Sequence, residues 1–309
     1  MIELPSPAPD EVLVRVVAIG INRVDVLQRS GASKGVGVTV PAGLGMEAAG
    51  TVERVGSQVL TFSVGDKVNL LPGMAKLPFG SYCDFLSVPA TALIQQPASL
   101  SFQQGAALWT AHLTAYAPLV ELAGVGPGDS VLINAASSSV GLAAIGITRT
   151  LGAIPIAITR TQNKVEALLK AGAAHVIISG REETALRARE LTAGGGARVA
   201  FDPVGGPAIA SLLDAVATDG ILVWYGILSG QATPLPFSVL GRNLTIAGYA
   251  LDINRNPRRR ARALDFICQG VANGTLTTHI EQTFPLSDAA RAHTALETNE
   301  HIGKLLLLP

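Results

Sequence analysis

The stretch from Val131 to Gly141, VLINAASSSVG, constrains this chain more than any other. An apolar run of Val131, Leu132 and Ile133 gives way to small residues, after which Val140, Ala143, Ala144, Ile147 and Leu151 recur at helical spacing. That pattern predicts strand, tight turn and helix. A second buried-type strand, Ile154 to Thr159, completes a crossover of roughly 30 residues, the βαβ unit that opens a dinucleotide-binding sheet. Backbone N–H groups at the start of such a helix are unpaired and carry partial positive charge, so a turn without bulky side chains can receive an anion. The G-x-G-x-x-G fingerprint survives only as Ala136-x-Ser138-x-x-Gly141. Small residues still allow close approach, Ser137, Ser138 and Ser139 add hydroxyls, and Gly141 lets helix and strand pack tightly. A serine-rich connection that binds nothing fits the same letters, and the turn alone leaves both readings open.

The end of the second strand narrows the choice. Where an NAD-specific sheet places Asp or Glu against the ribose 2′-hydroxyl, this strand ends Ile158, Thr159, Arg160, Thr161, with Lys164 a turn further on. No carboxylate repels a 2′-phosphate, and Arg160 and Lys164 offer charge and hydrogen bonds to one, so NADP(H) is the expected cofactor. The alternative is a pair of solvated cations near a helix start.

The 309 residues are enough for two domains, each with its own core. Charges balance to a formal net zero, so no global field favours nucleic acid or an anionic membrane. The one basic cluster, Arg255 to Arg262, reads as a solvated helix face, and no apolar run approaches a membrane span. Two cysteines, Cys83 and Cys268, cannot build a disulfide framework, and a reduced, cytoplasmic protein is the expectation.

Along the chain, Val12 to Ile19, Gly50 to Val55, Lys67 to Leu71 and Ser81 to Pro89 read as short strands of a β-rich domain. Ser101 and Gln104 form a capping box, and from there strands alternate with helices. Val131 to Asn134, Ile154 to Thr159, His175 to Ile178, Arg198 to Asp202, Ile221 to Tyr225 and Leu244 to Tyr249 supply the six strands of a doubly wound parallel sheet. A helix over Arg259 to Ala272, a β segment around Ile280 and the run Lys304 to Leu308 then return to the first domain. The expected α/β architecture is a Rossmann sheet at 106–249 inserted into a β-rich domain formed by 1–105 and 250–309.

Several stretches resemble the zinc-free, quinone oxidoreductase branch of the medium-chain dehydrogenase/reductase superfamily. They are GINRVDVLQRSG at 20–31, GMEAAGTVERVG at 45–56, VGDKV at 64–68, LTAY at 113–116, FDPVGG at 201–206 and GKLLLL at 303–308. The likeness runs through nearly the whole chain and implies a GroES-like fold for the β-rich domain. In the zinc-bearing branch a Cys and the His of a G-H-E triplet hold the metal; here Asn22 and Met46 stand in those places. Neither an amide nor a thioether binds Zn²⁺ well, so the chain is expected to be metal-free.

Hydride delivery from NADPH to a carbon activated by conjugation, in a quinone or an α,β-unsaturated carbonyl, is the chemistry that resemblance implies. It places Asn22 and Thr114 as the catalytic pair near nicotinamide and substrate, with Thr114 bonding the carboxamide or ribose. Ser138, Ser139 and Val140 would line the pyrophosphate, and Thr159, Arg160 and Lys164 the 2′-phosphate. Val204, Tyr225, Gly226 and Ile227 would border ribose and nicotinamide. Proton donors known in some relatives are tyrosines where this chain has Leu27 and Ser33. Among other polar residues, Asp25 reads as a helix cap or a proton carrier, Tyr82 as a core residue with a satisfied hydroxyl, His112 as packing and Lys304 as a surface neutraliser. The resemblance further implies a homodimer paired through the last Rossmann strand. Two other functions fit: a non-catalytic NADPH-binding protein and an enoyl-thioester reductase.

Overall fold

The computed structural model describes residues 6–31, 43–73, 80–252 and 256–309. Ser33 and Arg255 lie outside the described residues.

The chain begins with strand β1 (Glu11–Gly20), helix α1 (Arg23–Arg29) and strands β2 (Ala48–Val55), β3 (Lys67–Leu70), β4 (Phe85–Pro89) and β5 (Leu93–Gln95). Helix α2 (Phe102–Tyr116) starts at the expected capping box: Ser101 N–H donates to Gln104 Oε1 at 2.9 Å and Gln104 N–H to Ser101 Oγ at 3.2 Å. There follow β6 (Ser130–Ile133), α3 (Ser139–Thr150), β7 (Ile154–Thr159), α4 (Val165–Lys170), β8 (His175–Ile178), α5 (Thr184–Leu191), β9 (Ala197–Asp202), α6 (Ile209–Ala215), β10 (Val216–Trp224) and β11 (Thr245–Gly248). Helix α7 (Pro257–Ala272), strand β12 (Ile280–Pro285), helix α8 (Ala289–Thr298) and strand β13 (Lys304–Leu308) close the chain.

Two compact units result: residues 1–110, 252–262 and 278–309, and residues 111–251 and 263–277. In the first, seven strands form one sheet in the order β12-β13-β1-β2-β3-β5, with β4 also paired to β1. Strand β1 is its spine. It runs antiparallel to β2, β4 and β13, and its sequence EVLVRVVAIG is apolar almost throughout because it is covered on both faces. Val12, Val14, Val16 and Ile19 pack there with Val52, Val68, Val88, Leu305 and Leu307. Of the segment read as a strand from Ser81, only Phe85–Pro89 pairs; the residues before it form turns.

The second unit is a six-stranded sheet in the order β11-β10-β9-β6-β7-β8, every pair parallel. All six strands read from the sequence are present, with β10 starting earlier, at Val216, through an irregular register against β9. Strand order reverses between β6 and β9, and in open parallel sheets the carboxyl ends at such a point leave a crevice for ligands. Leu132, Ile156, Ile158, Ala200, Ile209, Leu213 and Leu222 form the apolar layer beneath it.

Candidate active site

The turn after β6 is built by close packing. Ala135 adopts a left-handed conformation at φ 49°, and Ala136 N–H is tied to the carbonyl of Ile158 on the neighbouring strand at 3.1 Å. Ser138 is the N-cap of α3, its Oγ accepting from Gly141 N–H at 3.0 Å. A Cβ on Gly141 would lie 2.5 Å from the carbonyl oxygen of Ala136, so only glycine lets α3 approach the turn this closely. Ser138, Ser139 and Val140 are half-buried around the first turn of a twelve-residue helix, where backbone N–H groups face outward.

At the end of β7, Thr159 is buried and Arg160 is exposed. Lys164 is not a solvated cation: it is buried, and its ammonium donates to Ser137 Oγ at 3.0 Å. The cation downstream of β7 is therefore joined to the small-residue turn downstream of β6.

Across the reversal point, Asp202 at the end of β9 is fully buried. Its carboxylate accepts from Asn134 Nδ2 at 2.7 Å, Val204 N–H at 3.1 Å and Gly205 N–H at 2.8 Å, fastening the β9 turn to the β6 turn. Burial pushes this carboxyl up, against those three hydrogen bonds. Tyr225, just past β10, stacks on Phe201 with ring centroids 4.1 Å apart. Its hydroxyl is buried without a hydrogen-bond partner and is pushed well above the usual phenol range by burial and by Asp202. Gly226 and Ile227 follow, half-buried and exposed. The sequence signalled neither Asn134 nor Asp202; a polar residue closing each of two buried strands was the available cue.

Thr114 is half-buried on α2 and belongs, with the strand-end residues, to the second unit; Asn22 belongs to the first. There it is the N-cap of α1 and part of a closed polar ring. Its Nδ2 donates to Glu47 Oε1 at 3.0 Å and to the carbonyl of Gly20 at 3.3 Å, and its Oδ1 accepts from Lys304 Nζ at 2.7 Å. Lys304 also bonds Glu47 Oε1 directly, while Glu47 Oε2 accepts from Thr110 N–H at 2.9 Å. Lys304 is thus no surface neutraliser, being 1% exposed. A lysine opening an apolar run, with no carboxylate beside it in sequence, was the cue that it is buried and paired at long range. Asp25 caps α1 by accepting from Asn22 N–H at 2.8 Å, and its Oδ2 also accepts from the Tyr82 hydroxyl at 3.2 Å. His112 is buried on α2. Among the described residues no three His, Cys, Asp or Glu side chains converge as a metal site, and no helix is long and apolar enough to cross a membrane.

A mostly antiparallel sheet unit joined in sequence to a doubly wound parallel sheet, with a capped small-residue turn at its reversal point, defines a medium-chain dehydrogenase/reductase. Residues 8–98 match the alcohol dehydrogenase GroES-like domain and residues 171–307 the zinc-binding dehydrogenase family. The chain is 34% identical to the quinone oxidoreductase of Pseudomonas aeruginosa over 98% of its own length and 93% of that protein. It is 33% identical to a 2-haloacrylate reductase of Burkholderia sp, covering all of this chain and 93% of that one. The crystal structure of Escherichia coli quinone oxidoreductase complexed with NADPH superposes with a TM-score of 0.90 at 33% identity, over 100% of this chain and 94% of that one. The chain belongs to the quinone oxidoreductase family.

Proposed function

We propose that this protein is an NADPH-dependent oxidoreductase that reduces a quinone or an α,β-unsaturated carbonyl compound without a metal. The observation that carries the reading is the Ser137–Lys164 hydrogen bond, which joins a capped helix N-terminus suited to a pyrophosphate to a cation placed for a 2′-phosphate. The cofactor fits this end of the sheet: the Gly141 contact leaves the turn narrow, and β7 ends Thr159, Arg160, Thr161 with no Asp or Glu among them. Support comes from the similar Escherichia coli quinone oxidoreductase, whose structure is a complex with NADPH.

In this reading Ser138, Ser139 and Val140 hold the pyrophosphate, and Thr159, Arg160 and Lys164 the 2′-phosphate. Val204, Tyr225, Gly226 and Ile227 border the ribose and nicotinamide, and Thr114 bonds the carboxamide or ribose. NADPH when bound supplies the hydride. A conjugated acceptor spreads the negative charge that develops on it, so the protein has to orient the acceptor, exclude water and provide one proton. Asn22 is the first unit's proposed contribution. Its amide hydrogens are both engaged by Glu47 and Gly20, so it acts through a fixed position and not as a free donor. In this reading 106–249 act as the dinucleotide-binding domain and 1–105 with 250–309 as the catalytic domain; by packing, residues 106–110 group with the first unit and 263–277 with the second. The β11 edge pairs two copies into a homodimer, and the protein works in the cytoplasm.

NADPH oxidation, followed by absorbance with a panel of quinones and short enones, tests the activity. Turnover with NADPH exceeding that with NADH supports it. Tight cofactor binding with no acceptor reduced would mark a non-catalytic binder, and turnover confined to enoyl thioesters would mark the thioester reductase.

A further inference from the structure

The first unit buries a second chain of polar groups. Tyr82 stands between a carboxyl and an imidazole: its hydroxyl is 3.2 Å from Asp25 Oδ2 and 3.0 Å from His293 Nε2, with the imidazole edge-on at a centroid distance of 5.7 Å. Asp25 and His293 are buried, and Asp25 Oδ1 and His293 Nδ1 have no hydrogen-bond partner. A phenol hydroxyl owns one proton, so it donates to one of these neighbours and must accept from the other. When Asp25 is ionised, Tyr82 donates to Oδ2, His293 Nε2–H donates to the Tyr82 oxygen, and Nδ1 is bare. When Asp25 is neutral through Oδ2, both bonds reverse: Asp25 donates to Tyr82, Tyr82 donates to a bare Nε2, and the imidazole proton sits on Nδ1.

We propose that Asp25, Tyr82 and His293 form a proton relay, in which a proton taken up at His293 Nδ1 sends the Nε2 proton to Tyr82 and the Tyr82 proton to Asp25 Oδ2. One proton enters, N–H and O–H bonds form at Nδ1, Tyr82 and Oδ2, those at Nε2 and the old Tyr82 site break, and no electrons move. No charge is left on Tyr82 or His293.

The surroundings favour this distribution. Burial raises Asp25 to about 6, assisted by the charge of Glu47 and opposed by the ammonium of Lys304 and by hydrogen bonds from Asn22 and Tyr82. Burial and the charge of Arg29 on α1 hold the imidazole of His293 down, against the charge of Glu297 on α8, which disfavours an imidazolium beside Tyr82. Tyr82 is itself pushed up by burial and by Asp25, which keeps it a carrier and not a resting anion. Use of the relay to supply the proton that accompanies each hydride rests on the reductase reading; the relay itself does not.

The test is ¹⁵N spectroscopy of the imidazoles in the full-length protein between pH 4.5 and 8. His293 is assigned among the five histidines with His293→Gln. The expected result is an Nε2–H tautomer at high pH that converts to Nδ1–H with a midpoint near the Asp25 titration, and no conversion in Tyr82→Phe or Asp25→Asn. An unchanged tautomer, meaning that the proton rests on Asp25 Oδ1, would overturn the relay. So would conversion to imidazolium, or the same conversion in Tyr82→Phe. Absence of NADPH turnover in the wild type alongside an intact tautomer exchange would remove the functional reading and leave the relay standing.

Discussion

The ammonium of Lys304 and the carboxylate of Glu47 form a direct ion pair in the first unit's interior, each side chain 1% exposed. The pair closes a ring with Asn22, whose Oδ1 faces the ammonium and whose Nδ2 faces the carboxylate. Flipping that amide would set its NH₂ against a cation, so two charges far apart in sequence, Glu47 just before β2 and Lys304 at the start of β13, fix the orientation of one polar side chain. A Cβ on Gly20 would lie 2.4 Å from Glu47 Oε1, so the backbone has been pared back to let the carboxylate in.

Removing one charge of this pair strands the other. Glu47→Gln is expected to cost about 3–5 kcal/mol of folding stability, whereas Lys304→Met combined with Glu47→Gln should lose clearly less than the sum of the single changes. A double-mutant cycle by urea denaturation measures the difference.

Asp25 gives stability a pH dependence of defined sign. Its carboxyl is raised from 3.8 to about 6 on folding, so the stabilising effect of its proton is full below about 4 and is lost as pH rises to about 6. Asp25→Asn should remove a decline on the order of 3 kcal/mol from the unfolding free energy across that window, read from denaturation curves at successive pH values.

If the cations downstream of β7 read the 2′-phosphate, Arg160→Ala with Lys164→Ala will weaken NADPH on the order of 10- to 100-fold and leave NADH nearly unchanged. Calorimetric titration with both nucleotides decides it, and equal losses would dismiss the assignment.

Gly141→Ala places a methyl 2.5 Å from the Ala136 carbonyl oxygen, and Ala136 is itself pinned to Ile158. Helix α3 must move away from the turn. Destabilisation of about 1–3 kcal/mol and weaker NADPH binding are expected from thermal melts and titration.

Among the described residues no strand pairs with the outer edge of β11, and the loop before it carries Phe237 at 91% and Leu240 at 77% exposure. Should two copies pair there, Phe237→Asp with Leu240→Asp will yield monomers by light scattering with the fold retained in circular dichroism.

Sequence pattern determined the parallel sheet almost strand for strand. Runs such as IPIAIT between turn residues have no other way to bury both faces, and Ser101 with Gln104 marks a helix start through contacts three residues apart. The same locality made the β6 turn legible, since Ser138 caps with Gly141 and the tight approach involves Ala136. Letters that describe Ser81 to Pro89 as one strand did not reveal where pairing begins: β1 runs on past Arg15, the partner of Phe85, and takes β13 at Ile19 and Gly20 instead.

What only the tertiary structure decided is where the charges are. Lys304 and Glu47 are 257 positions apart, Tyr82 and His293 are 211 apart, and Lys164 meets Ser137 across two strands of the sheet. Periodicity reports which residues share a face of their own element. It cannot say which side chain of another element will be their partner, and for a buried charge or hydroxyl the partner sets both its cost and its chemistry.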